Sequence, residues 1–351
     1  MLVREQVPLA PYTTLGIGGP ARWFVEGTDE ESVLEAVRFA RERSLPLFVL
    51  GGGSNLLVSD EGFPGVVVRI ALMGIEQNGN VFRVAAGENW DNFVTHAIDK
   101  GFGGIECLAG IPGTAGGTPV QNVGAYGQEV SGTIAMVRVL DLNHLKYGEL
   151  PAATCGFSYR RSIFNTTHRG RFIVTRIDYK LRNKAFPVLS YPDLKRYFRD
   201  RKDTPTLAEA AAAVREIRHE KGMLLVEGEP DCRSAGSFFK NPVVPQAQYD
   251  AMVAKASAPI PVFAAPRGMV KIPAATLVEQ AGFHKGFAMG PAGISSRHTL
   301  ALINRGGATA AEVVALRDLI AATVEKRFGI RLEAEPVWLG PEAGTPATTG
   351  R

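Results

Sequence analysis

Between Gly101 and Gly127 the chain holds nine glycines and two prolines, with no helical or strand-like period. So long a stretch without regular structure is uncommon inside a compact domain, and where it occurs it usually carries function. Its second half, Gly110-Ile-Pro-Gly-Thr-Ala-Gly-Gly-Thr-Pro-Val-Gln-Asn-Val-Gly-Ala-Tyr-Gly127, sets small residues and open amides among the polar side chains of Thr114, Gln121 and Asn122. Ile111, Val120, Val123 and Tyr126 supply apolar anchors that a solvated linker would lack. The segment therefore reads as a wrap around a polar ligand rather than a loose surface loop.

The flanking sequence supplies a scaffold for it. Apolar spacing predicts helices over 29–43 and 91–100 and strands over 47–50, 66–70, 81–85, 134–142 and 172–181, so that 12–200 form one α+β unit. A second glycine cluster, Gly51-Gly52-Gly53-Ser54-Asn55, leaves the strand at 47–50. Alone it is either a tight turn or a phosphate cradle, since both favour unhindered backbone. The capping boxes Thr206-Leu-Ala-Glu209 and Thr309-Ala-Ala-Glu312 open helices to about 219 and 328, inside a second unit at 205–327. A strand is expected over 328–340, with Glu335 in it, and a disordered tail at 341–351.

Composition narrows the function. Thirty-nine Lys plus Arg against 35 Asp plus Glu leave +4 over 351 residues, too dilute for a nucleic-acid face. No run of 18 apolar residues occurs and the start lacks a secretory pattern, so no membrane insertion and a cytoplasmic location are expected. Cys107, Cys155 and Cys232 are too far apart for a CxxC site and no HExxH occurs, so no metal is expected. Gly16-Ile-Gly18-Gly-Pro-Ala21 fits GxGxxA, but it follows no buried strand, and no GxxxxGK[ST] is present.

The segments YTTLGIGGPA, VLGGGSNLLV, GIPGTAGGTPVQNVGAYG, GFSYRRSIF and SAGSFFKNP, in this order, resemble the UDP-N-acetylenolpyruvoylglucosamine reductases over about 12–340. The resemblance implies an α+β fold: a two-part FAD-binding domain of the vanillyl-alcohol-oxidase (PCMH) type and a separate α+β substrate-binding domain. It implies NADPH-dependent reduction of UDP-N-acetylglucosamine enolpyruvate to UDP-N-acetylmuramate, for peptidoglycan synthesis, by a monomer with noncovalent FAD. Gly51, Gly52, Gly53, Ser54, Asn55 and Leu56 would face the cofactor together with Ile111, Pro112, Gly113, Thr114, Gly116, Gly117, Gln121, Asn122, Gly124 and Ala125.

By the same resemblance Arg160 stabilises charge on the substrate, Ser237 donates a proton and Glu335 orients Arg160 or polarises the enolate. Arg161 and Glu333 stand as alternatives to their neighbours. Tyr126, Tyr191, Lys221, Asn241 and His298 are candidate substrate contacts. Two other readings compete: an FAD-linked oxidase, whose flavin is often tethered through His or Cys (here His96 or Cys107), and a protein that binds a nucleotide without turnover.

Overall fold

The structure, a computed structural model, describes residues 1–341 except Ala185, Lys255, Ser257 and Ala264, together with the backbone of Thr345–Pro346. Strands β1 (Val3–Pro8), β2 (Pro20–Gly27), β3 (Pro46–Leu50), β4 (Leu56–Val58) and β5 (Phe63–Ile70) surround helix α1 (Glu30–Glu42). One sheet takes the order β1, β2, β5, β3, in which β2, β5 and β3 are parallel because α1 makes the crossover. Asp29 caps α1 by accepting from Ser32 N at 2.7 Å, while Val33, Ala36, Val37 and Ala40 face the core.

A second sheet begins with β6 (Ile75–Asn78) and β7 (Val81–Ala85), which precede α2 (Trp90–Asp99). Across and just after the glycine-rich stretch form two-residue strands, β8 (Phe102–Gly103), β9 (Gly124–Ala125) and β10 (Gln128–Glu129), with single 3-10 turns at Glu106–Leu108 and Ala115–Gly117. The stretch is nevertheless held, since Ala115 N and Gly116 N donate to Glu88 O and Ala86 O at 2.8 and 2.9 Å. Next come β11 (Ile134–Asp141), β12 (Lys146–Pro151), β13 (Phe172–Lys180) and β14 (Arg182–Asn183). The second sheet runs β12, β11, β13, β7, β6, antiparallel throughout.

After α3 (Pro192–Tyr197) comes α4 (Leu207–Glu220), expected to open the second unit. Instead its Ala211, Val214 and Ile217 join the core that holds Trp90 and Phe93, and Arg215 Nη2 pairs with Asp91 Oδ1 at 2.8 Å. The capping box marks where a helix starts but carries no information on which core receives its apolar face.

The remaining chain builds β15 (Ser234–Ser237), β16 (Val243–Pro245), α5 (Gln246–Val253), β17 (Met269–Lys271), α6 (Ala274–Gln280), β18 (Ala288–Met289), β19 (Ala292–Ile294) and β20 (Ala301–Asn304). The sheet β15, β20, β19, β18 lies under α7 (Ala310–Phe328), which buries Val313, Leu316, Ile320 and Val324. Asp60 of the first unit reaches over to accept from Ala310 N and Ala311 N at the start of α7. The strand expected over 328–340 shrinks to β21 (Val337–Leu339), which lies parallel to β4 and leaves Glu335 just outside it. In the expected disordered tail, 342–344 and 347–351 lie outside the described residues, whereas Thr345–Pro346 pair with β3.

Candidate active site

The two glycine-rich segments lie directly against each other. A Cβ on Gly52 would stand 2.5 Å from Gly113 Cα, and one on Gly53, at φ +63°, would meet Tyr12 O at 1.8 Å. Glycine is therefore required by close backbone approach. Ser54 Oγ donates to Pro112 O at 2.9 Å and joins the two turns. Their open side faces a cavity of about 1550 Å³, lined by both sheets of the first unit and by β15. Sites for a single small ligand usually enclose roughly 300–1,000 Å³, so there is room here for a dinucleotide and a second ligand.

Every residue expected at the cofactor lines this cavity except Asn122. Asn122 is fully buried at φ +46°; its Nδ2 donates to Glu129 Oε2 and Ser158 O at 2.8 and 3.1 Å, and its Oδ1 accepts from Ser131 N at 3.2 Å. Its side-chain amide is consumed inside the fold, where it shapes the wrap. Thr114 Oγ1, by contrast, is buried in the cavity wall with no hydrogen-bond partner among the described residues. A hydroxyl so placed is available to a bound group.

Arg160, Ser237 and Glu335 come together on the same cavity. Arg160 occupies a left-handed backbone position at φ +56°, fixed by Asn165 Nδ2 donating to its carbonyl at 3.0 Å. That turn sends its guanidinium inward, where Nη2 donates to Gly124 O at 2.9 Å, and leaves Arg161 exposed. Glu335 arrives by backbone pairing with the residues after Ser237: Glu335 N donates to Phe238 O and Lys240 N to Glu333 O, both at 2.9 Å. Asn55 Nδ2 holds this segment from the cofactor turn, donating to Glu335 O at 3.3 Å and to Gln121 Oε1 at 3.0 Å. Burial pushes the Glu335 carboxyl above the usual carboxylate range, although Arg160 and Lys240 oppose the shift. Glu333 also borders the cavity, but it is largely exposed and pairs with Lys240 at 2.5 Å.

Tyr126, Tyr191, Lys221, Asn241 and His298 all border the cavity. The Tyr126 and Tyr191 rings meet edge to face at 5.4 Å, and Lys221 Nζ sits 5.5 Å from the Tyr126 ring while pairing with Asp193 at 2.5 Å. Asn241 Oδ1 accepts from Ala274 N at 2.9 Å, and burial lowers His298 to about 4. The cavity residues that the sequence reading did not single out include Arg218, whose Nε donates to Gly110 O at 3.0 Å, and Tyr159 with Lys271, whose Nζ lies 4.6 Å from the Tyr159 ring. Arg218 stands one helical turn before Lys221, a spacing that puts both on one face and could have found it. His96 and Cys107 do not line the cavity, and burial pushes the Cys107 thiol up to about 12.

The family description "FAD binding domain" matches residues 21–143, and "UDP-N-acetylenolpyruvoylglucosamine reductase, C-terminal domain" matches 229–339. A UDP-N-acetylenolpyruvoylglucosamine reductase of Thermobifida fusca is 45% identical over 349 residues, spanning 96% of this chain and 98% of the relative. The chain belongs to the UDP-N-acetylenolpyruvoylglucosamine reductase family. A Streptomyces avermitilis reductase of that family is 43% identical, covering 96% of this chain and 95% of its own. The solved reductase of Thermus caldophilus superposes with a TM-score of 0.67 at 28% identity, over 96% of this chain and 100% of the other.

Membership of the reductase family brings FAD, and the residues present suit it. The partnerless Thr114 hydroxyl and the two interlocked glycine turns offer what a pyrophosphate needs: unhindered backbone and unused donors. Among the described residues no helix is long and apolar enough to cross a membrane, and no cluster of three His, Cys, Asp or Glu could hold a metal.

Proposed function

We propose that this member of the family catalyses the NADPH-dependent, FAD-mediated reduction of UDP-N-acetylglucosamine enolpyruvate to UDP-N-acetylmuramate in peptidoglycan synthesis. The observation that carries this reading is the meeting of Arg160, Ser237 and Glu335, from three distant stretches, on the cavity that the glycine turns line. FAD, held against the turns at 51–56 and 111–125 and recharged by NADPH, would supply a hydride for the terminal carbon of the enolpyruvyl double bond. The double bond is conjugated to a carboxylate, so charge develops toward that group as the new C–H bond forms.

Arg160 meets this charge. A guanidinium presents paired donors to a planar carboxylate, and only Nη2 of Arg160 is spent on the protein's own backbone. Ser237 gives its hydroxyl proton to the adjacent carbon, which completes the addition. A serine hydroxyl is a weak acid, suited to quenching a strongly basic carbanion-like centre. Glu335 holds the Arg160 guanidinium in place by charge. Lys221, Arg218 and His298 border the part of the cavity suited to an anionic nucleotide, and Tyr191, which lines the same cavity, would cover it. One chain supplies the whole site, which supports a working monomer, and both nucleotide substrates belong to the cytoplasm.

The decisive measurement is an absorbance spectrum of the purified protein, followed by titration with NADPH and then with the enolpyruvyl sugar nucleotide. A flavin band that NADPH bleaches and the sugar nucleotide restores is the expected result. A colourless protein that takes up no flavin, or a bleached band restored only by oxygen, would sink the reading. Ser237→Ala should keep flavin and bleaching while slowing the restoration by roughly 100-fold or more.

A further inference from the structure

The segment 12–21 has no part in the chemistry above, yet it threads between the two halves of the site. Thr14 N donates to Gly53 O at 3.2 Å, in the turn that seats the cofactor. Thr14 Oγ1 donates to Ser234 O at 2.6 Å, at the head of the strand that ends in Ser237. One residue thus bonds both to the cofactor turn and to the proton donor's strand.

Its neighbours reinforce the link. Asn304, on the strand paired with β15, donates to Leu15 O at 3.1 Å and is buried at 4% exposure. Tyr12 O occupies the space that a side chain at Gly53 would need. Thr14 itself borders the cavity.

We propose that Thr14 is a positioning residue for proton delivery: it sets the separation between the cofactor turn and Ser237. Thr14 passes no proton itself and acts through Ser237, so the proposal rests on the role given to Ser237 above. The physical basis is the sensitivity of transfer to distance, since a misplacement of about 1 Å costs on the order of 100-fold. Losing the hydroxyl leaves the Ser234 carbonyl without its donor and the strand without its anchor.

Thr14→Val keeps the volume and removes the bond. In the holoenzyme, flavin content and NADPH-driven bleaching should stay within about twofold, while restoration by the enolpyruvyl sugar nucleotide slows by roughly 10- to 100-fold. The solvent deuterium isotope effect on restoration should rise, and Thr14→Ser should recover the rate. In a Ser237→Ala background, Thr14→Val should add no further loss, because the two act as one unit. If the valine variant does not accumulate as folded holoprotein, Thr14→Ala replaces it in the same comparison.

Restoration at the parental rate in Thr14→Val, no recovery in Thr14→Ser, or a full additional loss in the Ser237→Ala background would each overturn the positioning role. Restoration at the parental rate in Ser237→Ala alone would instead remove the reading of Ser237 on which it stands.

Discussion

Glu335 Oε1 lies 3.0 Å from Arg160 Nε, so a largely buried charge pair joins two distant stretches of the chain. Apart from this contact and the Nη2 bond to Gly124 O, the guanidinium keeps donors with no hydrogen-bond partner among the described residues, which a bound carboxylate can take. The pair is also costly to bury. Each charge has lost most of its water, and the Glu335 carboxyl is displaced upward as a result.

This displacement predicts a pH signature. Between the ordinary value of 4.5 and its raised folded value, native Glu335 holds a proton that the unfolded chain has released. Stability therefore falls as pH rises through that window. Against Glu335→Gln, the thermal midpoint of the parent should decline as pH rises above 4.5, and the variant should lose roughly 100-fold in turnover. Parallel melting curves for the two proteins would contradict the assignment.

Thr114→Val tests the cofactor cradle. The hydroxyl has no partner among the described residues, so removing it should leave the flavin-free protein as stable as the parent or slightly more so. Flavin affinity should weaken by about tenfold, as expected for one lost hydrogen bond to a charged group. Equal dissociation constants in a flavin titration would show that Thr114 does not touch the cofactor.

Asn122→Ala should behave as a structural defect. It deletes three buried hydrogen bonds and forces alanine into a left-handed conformation, for a combined loss of roughly 2–4 kcal/mol. Denaturant unfolding should show this, while the protein that remains folded keeps near-parental flavin affinity. A variant of unchanged stability but weakened flavin binding would return Asn122 to the cofactor set.

His298 supplies the opposite pH dependence. Burial, helped by the nearby Lys221, Lys285 and Arg218, lowers it from 6.5 to about 4, so the native ring stays neutral where the unfolded ring charges. Its contribution is complete above about pH 6.5 and is lost as pH falls toward about 4, worth at most roughly 3 kcal/mol for a half-buried ring. Relative to the parent, His298→Gln should retain more of its neutral-pH stability at pH 5. An identical acid limb in both proteins would argue against a depressed His298.

Much of this organisation is legible in the order of the residues alone. The helices at 30–42 and 310–328 follow from caps and periodicity, because Asp29 with Ser32 and Thr309 with Glu312 satisfy first-turn amides within a few residues of chain. The glycine turns are legible for a similar reason: close backbone approach tolerates no other residue, so the need is written into composition. Less visible are the fate of α4, whose apolar face suits either core, and that of Arg218, which carries no motif.

The amino-acid sequence by itself determined the longer helices, several of the strands and the glycine turns, and which chemical groups are available to a site. Those are matters of spacing, capping and side-chain type, settled over short distances along the chain. Only the tertiary structure decided that Arg160 turns in and Arg161 out, that Glu335 is buried beside it while Glu333 stays in solvent, and that Asn122 is spent inside the fold. Neighbours in sequence are chemically interchangeable there. Their directions depend on one positive φ and one backbone pairing that exist only once strands from opposite ends of the chain have met.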